Sequence, residues 1–195
     1  MPDLIFATNN QNKVIEVKNA LDSKYTVYCL SDLGINMEIA EPYDTLEENA
    51  LEKARVIQRL TGKDCFSEDT GLFTEALNGR PGVKSARYAG NDCDSSRNII
   101  KLINKLKDNP HRSATFRTII CLLRNGTHII FEGKCKGTII ADTRGSFGFG
   151  YDPVFIPDGS NKTFAEMQIT EKNLYSHRRK AIDGLTDFLN SEDTH

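Results

Sequence analysis

The chemistry in this 195-residue chain is concentrated in a few short stretches. Thr8-Asn9-Asn10-Gln11-Asn12-Lys13 is a polar loop after an apolar run and before a helical pattern. Such a loop exposes backbone N–H groups at the positive end of a helix, where phosphate binds well. Lys13 adds a point charge, although an ordinary capped turn with a solvated lysine has the same sequence. No GxxxxGK[ST] is present, so this is not a Walker loop. Ser67-Glu68-Asp69-Thr70-Gly71 places two adjacent acids before a glycine. Carboxylates there suit Mg²⁺ or the activation of a water; exposed loop acids read the same way. Glu41 lies ahead of a helix on which Asn49 and Lys53, four apart, share a face. Ser146-Phe147-Gly148-Phe149-Gly150-Tyr151-Asp152-Pro153 joins glycines, for close backbone approach, to aromatics and an acid that suit a nucleobase. Phe147 and Tyr151 equally suit a core. Lys172, His177 and Arg178 gather polar and basic groups where a last helix begins. His177 has no sequence-adjacent acid and no GxSxG exists, so a Ser–His hydrolase is unsupported.

Regular elements must hold these stretches in place. Leu4-Ile5-Phe6-Ala7 reads as a buried strand, and Val14, Val17 and Leu21 then recur at helical spacing. Tyr25 to Leu30 reads as a second strand. Thr45-Leu46-Glu47-Glu48 is a capping box, with Leu46, Ala50, Ala54, Ile57 and Leu60 as the apolar stripe and Gly62 as the stop. Cys65-Phe66 reads as a short strand that gives way to the acidic loop. A helix over 95–107 has Ile99, Leu102, Ile103 and Leu106 on one face. Asn125-Gly126 between two β-branched runs, 114–123 and 128–135, is a hairpin signal. Residues 141–163 read as a long loop, and a final helix covers 178–190 with Ala181, Ile182, Leu185 and Leu189 inward. The order of βαβ units and a hairpin predicts an α/β fold with a mixed central sheet. No repeat or linker divides residues 1–195, so one domain is expected, with 191–195 a frayed tail.

Composition narrows the function classes. Lys+Arg total 25 against 27 Asp+Glu, a net charge of −2, which argues against a dedicated duplex-DNA binder. No apolar run is long enough for a transmembrane helix, and the first residues do not resemble a signal peptide. Five scattered cysteines, without CxxC or a Cys/His cluster, argue against structural zinc and read as reduced thiols in a cytoplasmic protein.

Taken together, the stretches stop being independent. Ala7 to Lys13, Glu48-Asn49-Ala50 with Lys53-Ala54, Ser67 to Leu72, Ala76 to Val83, Ser85-Ala86-Arg87-Tyr88-Ala89-Gly90, Phe147 to Pro153, Thr163 to Met167 and Ser176 to Ala181 stand in an order that resembles the inosine triphosphate pyrophosphatase family over essentially the whole chain. The resemblance implies an elongated mixed sheet flanked by helices. It also implies Mg²⁺-dependent hydrolysis of dITP, ITP and XTP to the monophosphate and pyrophosphate. Thr8, Asn9, Asn10, Gln11, Asn12 and Lys13, with Lys53, then correspond to triphosphate contacts. Asp69 corresponds to the catalytic carboxylate. Asp69 and Glu41 correspond to metal ligands, Glu68 to a supporting one, and Thr70 to a substrate contact. Phe149, Gly150, Tyr151, Asp152, Lys172, His177 and Arg178 correspond to the base pocket. The expected partner is a small nucleoside triphosphate, with a homodimer and no nucleic acid or membrane. Lys84 stands where many relatives carry an aromatic residue, and Glu41 lies in a stretch that matches less well.

Two other readings compete. A Maf-type pyrophosphatase acting on modified pyrimidines would share the reaction; the SARYAG and SHR segments favour purines. A nucleotide- or RNA-binding module would gain little from Glu68-Asp69 without metal.

Overall fold

The computed structural model describes residues 3–21 and 25–192. Strand β1 (Asp3–Phe6) is the apolar run at the start, and helix α1 (Gln11–Ala20) follows the polar loop. Strand β2 (Thr26–Cys29) pairs parallel with β1, Leu4 opposite Val27. Helix α2 (Leu46–Thr61) leads to β3 (Cys65–Thr74), also parallel to β1 with Phe6 opposite Phe66. The short β4 (Pro81–Gly82) runs antiparallel to β3. Helix α3 (Ser95–Lys105) precedes the long strands β5 (Ser113–Arg124) and β6 (Thr127–Ile139). Strand β7 (Phe155–Pro157) is antiparallel to β6, Thr138 opposite Ile156. Helices α4 (Ile169–Lys172) and α5 (His177–Glu192) close the order. The strands form one mixed sheet, β2-β1-β3-β5-β6-β7, with β4 on β3.

Local signals account for most boundaries. Thr45 caps α2, its hydroxyl accepting from the Glu48 amide at 3.2 Å. The other half of the box differs from expectation: Glu48 accepts from the Thr45 hydroxyl at 2.6 Å. Gly62 ends α2 in the left-handed conformation. Asn125 and Gly126 both have positive φ, 49° and 75°, as a tight hairpin turn requires. Leu60, placed in the apolar stripe, is 58% exposed instead. Strand β7 also interrupts the region read as a loop.

The largest correction concerns β3. The acidic segment Ser67–Gly71 is not a loop; it lies inside a ten-residue strand. Polar residues seldom read as strand, but a neighbouring backbone decides the matter here. A Cβ on Gly71 would stand 2.5 Å from the Gly82 carbonyl oxygen, so only glycine lets β4 approach.

The described residues gather into two compact units. One comprises Met1–Asp69, Thr118–Gly133 and Arg178–His195; the other comprises Thr70–Arg117 and Lys134–His177. The single-domain reading saw no linker because none exists: the chain passes from one unit to the other within β3, β5 and β6 and at the start of α5. The tail at 193–195 lies outside the described residues.

In the first unit Phe6 stacks on Phe66, centroids 4.6 Å apart. Val14 and Val17 of α1 and Ala181, Ile182, Leu185 and Leu189 of α5 pack into the same cluster. In the second unit Phe116 centres the core, edge-on to Phe155 at 4.7 Å, with Leu72, Leu102, Leu106 and Phe164 around it. Full burial of each such side chain contributes about 1.5–3 kcal/mol. Among the described residues no helix is long and apolar enough to cross a membrane.

Candidate active site

In the first unit β3 carries two adjacent acids and the helices α1, α2 and α5 carry the cations that meet them. Glu68 and Asp69 are neighbours on β3, 3% and 6% exposed. Neighbouring strand residues face opposite sides of a sheet, so the two acids meet different partners. Glu68 meets Arg178, the second residue of α5: Nε donates to Oε2 at 2.7 Å and Nη2 to Oε1 at 3.0 Å. Arg178 Nη1 also donates to Glu16 of α1. Lys13 stands 3.3 Å from Glu68 Oε1. Asp69 meets Lys53 of α2, whose ammonium donates to Oδ1 at 3.1 Å and to Glu41 Oε1 at 2.5 Å.

Among the ion pairs seen between the described residues, the charges in this cluster do not balance. Glu16, Glu41, Glu68 and Asp69 face Lys13, Lys53 and Arg178. Burial pushes the Asp69 carboxyl above the usual carboxylate range, against the pull of Lys53 and Lys13. Burial also disfavours the Lys53 and Arg178 charges, but their carboxylate partners outweigh it and hold both cations charged. Asp69 Oδ2 is buried and accepts no hydrogen bond among the described residues. A buried oxygen in that state costs roughly 1–3 kcal/mol unless something occupies it.

That orphaned oxygen, beside a surplus carboxylate, fits a divalent cation. Hard cations take carboxylate oxygens, and Mg²⁺ keeps several positions for water and phosphate. Asp69 and Glu41 would hold it. No group of three metal-ligating side chains is gathered among the described residues. Glu68, read as a supporting metal ligand, accepts from the Arg178 guanidinium with both its oxygens. Arg178, read as a base contact, directs its guanidinium to Glu68 and Glu16. Glu16 escaped notice in the sequence. Its one signal was an acid at a position adjoining the Val14–Val17 stripe, on what proves the buried face of α1.

The loop before α1 is organised from within. Thr8 Oγ1 accepts from the Asn10 amide at 3.1 Å, and Asn10 caps α1 by accepting from the Lys13 amide at 3.2 Å. Asn9 Nδ2 donates to the carbonyls of Ile35 and Met37 at 3.2 and 3.4 Å. Gln11 Nε2 donates to Ser31 Oγ at 3.4 Å, and Asn12 is exposed.

The second unit holds a smaller cluster. Asp152 is 3% exposed, and its Oδ2 accepts from the Lys172 ammonium at 2.6 Å and from the Phe149 amide at 2.9 Å. Gly148 permits this turn: a Cβ there would lie 2.0 Å from Asp152 Oδ2, and its φ is +74°. The Lys172 ammonium also lies 5.5 Å from the Phe149 ring centroid and 5.1 Å from that of Phe164. Asp152, read as a base-pocket residue, thus also organises the loop. Phe149, Gly150 and Thr70 are half-buried. Tyr151 is buried, its hydroxyl donating to the Ser85 carbonyl at 2.9 Å, whereas Phe147 is 48% exposed. His177 is 2% exposed and stacks on Phe116 at 4.5 Å.

Comparison with known proteins follows this geometry. The Ham1 family model matches residues 4–188. A dITP/XTP pyrophosphatase of Porphyromonas gingivalis is 48% identical over 97% of this chain and 98% of its own. One of Bacillus subtilis is 40% identical over 97% and 98%. The structure of the Ham1 protein of Staphylococcus aureus superposes with a TM-score of 0.87 at 37% identity, covering 97% of this chain and 99% of that one. A HAM1 protein from Coxiella burnetii gives 0.88 at 34% identity, covering 98% and 100%.

Proposed function

The chain belongs to the Ham1 family, and on that footing we propose that it hydrolyses dITP, ITP and XTP, with dXTP, to the monophosphate and pyrophosphate. Deaminated purines are thereby kept out of DNA and RNA. The observation that carries the reading is the orphaned Asp69 Oδ2 in a buried cluster with more carboxylates than cations.

Each group then has a role. A triphosphate brings about four negative charges, and Lys13, Lys53 and the N-terminus of α1 supply the attraction. Asp69 orients the attacking water and accepts its proton. Water oxygen bonds to the α-phosphorus, the bond to the bridging oxygen breaks, and pyrophosphate leaves. Mg²⁺, held by Asp69 and Glu41, would neutralise phosphate charge and act as a Lewis acid. Glu68 acts indirectly, fixing Arg178 and Lys13. In the second unit the half-buried Phe149 ring offers a stacking face for a base. The Lys172 ammonium and nearby backbone N–H groups suit the 6-oxo acceptor of hypoxanthine or xanthine. Adenine presents a 6-amino donor instead, and the mismatch costs roughly 1–3 kcal/mol. The family resemblance extends the proposal to a homodimer working in the cytoplasm.

Pyrophosphate release from dITP, XTP, dGTP, dATP and dUTP, each with Mg²⁺ and with EDTA, tests the reading. Fast metal-dependent release from dITP and XTP, with little from dGTP and dATP, supports it. Preference for dUTP would move the protein to pyrimidine substrates, and no release would remove the catalytic assignment.

A further inference from the structure

Glu41 lies on a stretch, residues 35–42, that has neither helix nor strand to hold it. A metal ligand on such a stretch needs its position imposed from outside. We propose that Asn49 is the positioning residue that sets Glu41, by clamping the backbone two residues beyond it. The inference rests on Glu41 and Asp69 being the metal ligands of the proposed reaction.

The clamp is two-sided. Asn49 is fully buried on α2. Its Oδ1 accepts from the Tyr43 amide at 3.0 Å, and its Nδ2 donates to the Tyr43 carbonyl at 3.0 Å. One side-chain amide thus satisfies both backbone groups of one residue, as a neighbouring strand would. One turn further on, Lys53 grips the Glu41 carboxylate. The repeats match. Residues i and i+4 on a helix are about 6 Å apart along its axis, and residues i and i+2 of an extended chain are about 6.6 Å apart. Pro42 favours extended backbone at Glu41, and residues 41 and 42 carry no helix or turn. Asn9 fastens the far end through Ile35 and Met37. Helix α2 therefore holds the stretch by two rungs. Lys53 sets the Glu41 charge, and Asn49 sets where the backbone places it.

The amide serves both halves of the clamp because it carries a donor and an acceptor side by side. Assayed at a pH where its carboxyl is ionised, Asn49→Asp is nearly isosteric but lacks the donor; Asn49→Ala lacks both. In each, kcat should fall about 10- to 100-fold, the range for loss of an outer partner of a metal ligand. The Mg²⁺ concentration for half-maximal rate should rise, while KM for dITP moves little.

Two readouts do not need turnover. Amide exchange at Tyr43 should accelerate selectively while the α2 core amides stay protected, and calorimetric Mn²⁺ binding should weaken. A Glu41→Ala background decides whether Asn49 acts through Glu41. There the Asn49 substitutions should have little further effect on turnover or Mn²⁺ affinity. Equal losses in both backgrounds, or a lowered Tm with unchanged kcat and Mn²⁺ affinity, would overturn the proposal. If Asn49→Ala does not fold, Asn49→Asp decides alone. If wild type releases no pyrophosphate, or Glu41→Ala leaves Mn²⁺ binding intact, the functional reading of Glu41 has failed. The clamp is then judged by exchange at Tyr43, where unchanged protection in Asn49→Asp refutes it.

Discussion

The two units treat buried charge differently. In the second unit Asp152 and Lys172 face one another, one acid to one cation, and the same acid closes the loop through the Phe149 amide. In the first unit, among the ion pairs seen between the described residues, four carboxylates share three cations, and one carboxylate oxygen accepts no hydrogen bond there. A balanced pair gives a preformed shape. An unbalanced cluster stores an unmet demand that a metal and its phosphate ligand meet. The first arrangement suits recognition of a neutral base and the second suits chemistry on an anion.

Asp69→Asn breaks the contrast most severely. It removes the surplus charge and should lower kcat about 10²–10⁴-fold, the range for loss of a general base. Native far-UV dichroism and loss of the Tm gain on adding Mg²⁺ would localise the defect to the metal. Glu68→Ala takes from the buried Arg178 the carboxylate that accepts two of its hydrogen bonds. Chemical denaturation should show a loss of about 3–5 kcal/mol, as for breaking other buried pairs. If stability is unmoved, the Arg178 network does not hold the first unit together. Phe149→Ala should raise KM for dITP about tenfold with stability nearly unchanged, since base stacking contributes about 1–3 kcal/mol. A large loss of stability would instead make Phe149 part of the core.

The smallest effects are in the pH profile. Asp69 must be ionised to take a proton; burial raises its metal-free pKa and a bound cation pulls it back down, so the acid limb of kcat should move to higher pH as Mg²⁺ is lowered below saturation. Lys53→Met removes the nearest cation, and the acid limb should then move to still higher pH. The sign for stability is opposite. Folded Asp69 holds a proton that the unfolded chain has released, so its contribution is full below the unfolded pKa. It is lost as pH rises through the folded value. Metal-free wild type should therefore lose stability relative to Asp69→Asn across that window, and parallel Tm curves would show that Asp69 has an ordinary pKa.

The sequence by itself determined the elements with strong local signals. Thr45 and Gly62 bounded α2, Asn125-Gly126 made the hairpin, and the apolar stripes of α1 and α5 marked the faces that bury. These follow from capping, left-handed backbone and periodicity, which neighbouring residues settle among themselves. The motif order was also legible, and with it the family. What only the tertiary structure decided was the pairing of charges. Glu68 went to Arg178, 110 positions away, and Asp69 to Lys53, although the two acids are adjacent. The pleat of β3 separates them, and β3 itself exceeded its local propensity because β1 and β5 flank it in the sheet and β4 pairs with its far end. Glu16 and Asn49 acquired their roles the same way. A buried polar side chain takes whichever partner the packing of distant elements presents, and spacing along a chain does not record that.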